Sequence, residues 1–200
     1  MTTRTILNRQ ESRRQHTREG ITQAALALLL EVGYAGVSVR AITERADIGY
    51  GTFYVHYTDK DDAIWDVIHN LAETERRQTE ADLATVPYPL KEYLSWVRMF
   101  TYAYENRVGF MQFFGPQGSA VLTARYLDYL THIHEENLQA GRYSAGIDVP
   151  PDFLANFMAG ALMRLFQWWL SDPDHTTPET MARLLFRVAY RTEPPEIRQG

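Results

Sequence analysis

Cysteine is absent from the 200 residues of this chain. That removes disulfides, thiolate metal sites and a thiol nucleophile from consideration. Long apolar runs are missing too. The longest, Ala24 to Leu30, falls far short of the roughly 20 residues a membrane-spanning helix needs. No charged-then-apolar leader opens the sequence, because Met1 to Gln15 is polar. The expectation is a soluble, cytoplasmic protein with no membrane partner. Strand signals are nearly absent. So are a phosphate-cradling glycine loop, a Gly-x-Ser-x-Gly elbow and the Glu-x-x-His pairs of dimetal bundles. The ligand-rich stretch His132-Ile133-His134-Glu135-Glu136 reads first as a solvated helix face. His132 and His134 point about 200° apart on a helix and cannot share an ion. His132 with Glu136 can, which keeps a metal-dependent helical-bundle enzyme as a remote alternative. No catalytic residue, metal or cofactor is expected.

Charge is spread unevenly. The formal net charge is −5, yet residues 1–60 hold eight basic and six acidic side chains, and the first 18 residues hold five arginines against one glutamate. A basic end on an acidic body points to an anionic partner at that end, or to a solvated tail.

Apolar spacing is helical nearly everywhere. Ile21, Ala24, Ala25, Leu28, Leu29 and Val32 form one stripe, which Gly33 stops. Ser38 caps a second helix over Val39 to Ala46, with Val39, Ile42 and Ala46 inward. Asp47-Ile48-Gly49 is a tight connection to a third short helix from Tyr50 to Tyr57. Thr58 or Asp59 caps a fourth, running from Lys60 to about Leu83. Pro87 and Pro89 break the chain. Helices then follow over Leu90 to Glu105, Val108 to Phe114, Ser119 to Gln139, Asp152 to Leu170, and from Pro178 onward with Thr177 as cap. The expectation is an all-α protein of about nine helices, three short ones followed by longer ones. The division is a flexible basic arm (1–16), a helix-turn-helix domain (17–60), a ligand-binding and dimerisation domain (61–193) and a tail (194–200).

Two helices joined by a tight turn have helix-turn-helix geometry, in which the second enters the major groove. Phe53 and Tyr57, four apart, can face inward together. Tyr50, Thr52 and Val55 then lie towards base edges. Tyr54 and His56 supply donors for phosphate oxygens, and Gly51 lets the backbone come close to DNA. A helical lid with all its aromatics in the core fits composition and spacing equally well.

Ordered along the chain, Ala24-Ala25, Gly33-Tyr34, Ser38-Val39, Ile42, Ala46, Gly51-Thr52-Phe53-Tyr54, Tyr57 and Lys60 resemble the DNA-binding region of the tetracycline-repressor (TetR) family of transcription regulators. The resemblance spans Thr17 to Trp65. It implies a DNA-contact set of Ser38, Arg40, Gly49, Tyr50, Gly51, Thr52, Tyr54, His56 and Lys60. Tyr50 and Thr52 would meet bases, and Tyr54, His56 and Lys60 phosphates. Arg40 would reach guanine or phosphate, unless Glu44 at i+4 holds it in an ion pair.

Residues 90–170 are rich in aromatics and methionine. Such a stripe is usually core, but its density also suits an apolar small-molecule cavity, and TetR relatives bind inducers in this region. Candidate lining residues are Trp96, Met99, Phe100, Phe110, Phe113, Tyr126, Tyr129, His132 and Phe166, with Arg125 and Gln167 as further polar anchors. Arg164 either joins them or pairs across a dimer. The last two helices have wide apolar faces that suit half of an intersubunit four-helix bundle. The reading is a homodimeric regulator, a repressor released from a palindromic double-stranded operator by a small apolar or aromatic effector. An activator or corepressor-dependent regulator of the same fold is the alternative. The fourth helix, the one covalent link between reader and sensor, is expected to carry the shift.

Overall fold

The computed structural model describes residues 2–142 and 149–195. Part of the expected 141–151 loop and most of the expected tail lie outside them. The described residues form nine α-helices and no strand. These are α1 (Thr2–Gly36), α2 (Val39–Arg45), α3 (Tyr50–His56), α4 (Lys60–Asp82), α5 (Leu90–Glu105), α6 (Arg107–Phe114), α7 (Ala120–Gln139), α8 (Pro151–Ser171) and α9 (Pro178–Tyr190), with a 3₁₀ turn at Pro173–His175 before α9.

Side-chain caps set most of the helix starts. Ser38 accepts from the Ala41 amide, Asp59 from Asp62, Ser119 from Leu122 and Thr177 from Thr180, each satisfying an amide that the helix leaves without a partner. Asp59, not Thr58, caps α4.

The first helix departs from expectation. The sequence reading puts a flexible arm over residues 1–16, but α1 begins at Thr2. Neither proline nor glycine occurs before Gly20 to interrupt it. Gln15 bonds Glu19 at 2.9 Å, and Thr17 donates to the Arg13 carbonyl. Only two of the first three helices are therefore short. Gly33 breaks the helical geometry with φ of +70°, a region where a Cβ is strained. A Cβ there would also stand 2.8 Å from Gln112 Oε1 of α6. Val32, expected on the inner stripe, is exposed one residue before this break.

Two buried clusters hold the molecule together. The first joins Ile21, Ala25 and Leu29 of α1 to Ile42, Phe53 and Ile64, and continues into Phe113, Phe114, Leu122 and Met163. The second packs Trp96 and Phe100 of α5 against Phe166 and Trp169 of α8 and Met181 and Phe186 of α9. Phe110, Tyr126 and Leu127 lie partly buried against both. The three-helix head (α1–α3) thus rests on α4, α6 and α7 through one apolar core.

Candidate nucleic-acid interface

The turn between α2 and α3 depends on Asp47, which takes φ of +52°. Short polar residues enter that region more easily than others. Gly49 begins α3 without a side-chain cap. The seven residues of α3 then divide sharply. Phe53 is fully buried and Tyr57, just past the end, nearly so. Tyr50, Tyr54 and Val55 are 50%, 56% and 64% exposed, and Gly51 and Thr52 are exposed beside them. Large side chains left in water on a short helix are unusual unless a partner covers them. A Cβ on Gly49 or Gly51 would meet nothing within 4 Å. Packing within the chain therefore does not require glycine at either position, and both backbones lie open to an external surface.

The remaining candidates have mixed fates. Ser38 is committed as a cap, though exposed. Arg40 bonds Glu44 at 2.8 Å, the ion-pair reading of that residue, on an exposed face where such a pair is weak and easily exchanged for another anion. His56 is half-buried, and its pKa lies below the ordinary value because of burial and the nearby charges of Arg14 and Arg18. Lys60 differs most from expectation. Its Nζ donates to the carbonyls of Tyr34 (3.1 Å) and Val37 (3.0 Å) and lies 4.0 Å from the Tyr34 ring centroid. It satisfies carbonyls at the open end of α1. Lys60→Ala is accordingly expected to lower folding stability by roughly 1–2 kcal/mol, measured by urea unfolding. Unchanged stability with a salt dependence of DNA binding flatter by about one unit would return Lys60 to the phosphate contacts.

Behind α3 lies a network that sequence inspection missed. Arg18 of α1 forks onto both Asp66 oxygens at 2.7 and 2.6 Å, the Tyr57 hydroxyl donates to Asp66 at 2.5 Å, and Asn70 adds a fourth bond. Burial opposes the Asp66 carboxylate, but the Arg18 and Tyr57 bonds outweigh it and hold its pKa below the usual range. About one turn earlier, Asp61 accepts from Tyr34 and Ser119, and Asp62 from Thr58 and Arg125. The start of α4 is thus bonded both to the head and to α7. Arg18 and Asp66 are 48 positions apart, so no local spacing could have paired them.

The body candidates do not form one group. Trp96, Phe100 and Phe166 belong to the packed second cluster, with Met99 partly buried against it; Phe113 belongs to the first, and Phe110 and Tyr126 touch both. His132 leaves them altogether, because it is exposed and pairs with Glu136 at 3.4 Å. Gln167 donates to the Phe114 carbonyl, and Arg164 is exposed. Tyr129 and Arg125 line an open cleft of about 830 Å³ between the head, α4 and α7, together with Trp65, His69 and Asp128. Trp65 and His69 were not among the expected residues, although their i, i+4 spacing was readable.

Residues 21–62 match the family model described as bacterial regulatory proteins, tetR family, and residues 94–191 match a transcriptional regulator C-terminal region. A search of curated proteins returned no match. Among solved structures, the chain is similar to RolR in complex with resorcinol (23% identity, 89% of each chain covered, TM-score 0.63). It is also similar to NalD, the secondary repressor of the MexAB-OprM multidrug efflux pump in Pseudomonas aeruginosa (18%, 92% of this chain and 98% of that one, TM-score 0.57). A third is the transcriptional regulator FadR from Bacillus subtilis in complex with stearoyl-CoA (18%, 86% and 96%, TM-score 0.55).

Proposed function

This chain belongs to the TetR family of bacterial regulatory proteins, which are transcription regulators and not enzymes, and from that premise we propose that it is a ligand-responsive repressor acting as a homodimer. Paired α3 helices enter successive major grooves of a palindromic operator. A small apolar or aromatic effector, bound in the helical body, favours a conformer whose α3 helices no longer fit. The division of α3 carries this reading: Phe53 and Tyr57 hold the helix to the head while Tyr50, Thr52, Tyr54 and Val55 are left outside. The resorcinol and stearoyl-CoA held by two of the similar structures support an effector of that character. The repressor role is supported by NalD.

The dimer is supported by the outer faces of α8 and α9. Phe153, Phe157 and Trp168 on α8, and Leu184 and Val188 on α9, are all exposed. Phe153, Phe157 and Trp168 follow i, i+4 and i+15, one face of a helix. Large apolar side chains gathered on one helix face, here around the exposed Arg164, suit an association surface.

Selection of binding sites from random duplex DNA, followed by mobility shift, tests the proposal. A two-fold symmetric site should emerge. Tyr50→Ala and Thr52→Ala should each relax the preference at one or two positions of each half-site, by about 1–3 kcal/mol per position. Unaltered base preference in both variants would refute their placement.

A further inference from the structure

We propose that the cleft between the head, α4 and α7 binds a planar aromatic carboxylate bearing a hydrogen-bond donor at its far end. The cleft measures about 830 Å³, a size typical of small-molecule sites, and it is not the apolar body region of the proposed function. Its chemistry is segregated. Trp65 and His69 of α4 and Tyr129 of α7 form an aromatic panel, with ring centroids 5.3–6.5 Å apart. The Tyr129 hydroxyl donates to Glu73 at 2.9 Å, which fixes its ring. Ring stacking on fixed aromatics favours planar ligands.

Most charges that border this panel are already matched. Asp66 is matched by Arg18, and Asp62 by Arg125. On the head side Arg14 is not: it forms no ion pair or hydrogen bond with any described residue, and Glu11, one turn before it, does not close on it. Arg14 lies close enough to His56 to help depress its pKa. The head side therefore offers a guanidinium suited to a carboxylate. On the α7 side Asp128, beside Tyr129, is exposed and accepts a hydroxyl or amine. A ligand running from Arg14 across the panel to Asp128 touches head and body at once.

Such a ligand stabilises one placement of the head on the body. Its effect on operator binding rests on the proposed regulatory function, whereas its binding does not.

Calorimetric titration of the full chain with 6-hydroxy-2-naphthoate tests the site. The naphthoate should bind, and the uncharged 6-hydroxy-2-naphthamide should bind at least about tenfold more weakly, as loss of one charge-assisted contact predicts. Arg14→Ala, at an exposed position, should weaken the naphthoate to the same degree, as should Trp65→Leu. Absence of binding, or an affinity indifferent both to the carboxylate and to Arg14→Ala, overturns the proposal. Operator affinity measured on the same samples should change about 5–150-fold on saturation; a bound naphthoate that leaves it unchanged overturns the coupling. Intact operator binding with no ligand binding rejects the cleft alone, and the reverse result rejects the regulator reading alone.

Discussion

Replacing Phe157 and Trp168 together by glutamate should yield a folded monomer that has lost about 10²–10⁴-fold in operator affinity. The two side chains are 63% and 57% exposed in the protomer, so their removal opens no cavity and the fold survives. Each buries a large apolar surface if α8 and α9 pack on a second copy, and each glutamate would then bring a hydrated charge into that interface. The DNA effect follows from valency. Two linked readers bind as one, with the second contact made at high effective concentration, and separation removes that gain without touching α3. Light scattering gives the mass and should return the 23.1 kDa of a single chain. Circular dichroism checks that the helices persist. A double variant that keeps the dimer mass would sink the proposed interface, and so would a monomeric wild type.

A second large effect concerns acid-base behaviour. Glu92 of α5 is buried, with one oxygen accepting from the Tyr190 hydroxyl of α9 and Oε1 without a partner among the described residues. Burial pushes its pKa up to about 7, against an ordinary 4.5, and the Tyr190 bond only partly opposes this. A carboxyl whose folded pKa is raised binds more protons in the native state than in the unfolded one. Its contribution is therefore favourable below about pH 4.5 and is lost as pH rises to about 7, by roughly 3 kcal/mol in all. Glu92→Gln keeps the shape and acceptor but cannot ionise. The variant should match the wild type near pH 4.5 and exceed it by about 2–3 kcal/mol at pH 8. Urea unfolding at both values reads the difference, and the subtraction cancels other titrating groups. A difference that stays flat across this range would place the Glu92 carboxyl in water.

Legibility in the sequence followed the range of the forces involved. The caps Ser38 and Thr177 act within three residues, so the helix starts they set were visible. Phe53 and Tyr57, four apart, were rightly placed inward, because the head's apolar stripe left one side for them. Lys60 is the opposite case. Its position at a helix start suggests phosphate, but its ammonium reaches carbonyls 26 and 23 residues back. The Arg18–Asp66–Tyr57 network and the cleft likewise exist only once α1, α4 and α7 are together. In the body, spacing identified aromatic faces but could not tell a filled core from a cavity. Trp96, Phe100 and Phe166 proved to be packed against one another and against Trp169 and Phe186, whereas His132 was turned to water by one helical step.

The bonds along α4 have a mechanical consequence. Its first turns are held by Tyr34, Ser119, Arg125 and Arg18. Its last turn is held to α5 by the Lys91–Glu80 and Arg98–Asp82 pairs at 2.7 Å. The whole helix runs 23 residues, a rod of about 34 Å at 1.5 Å per residue. A pivot of only about 5° at one anchor swings the opposite end by about 3 Å over such a length. In a two-fold assembly the swing acts twice, once on each side of the axis. In the proposed repressor a swing of this size would detune a fit to half-sites spaced about 34–36 Å apart.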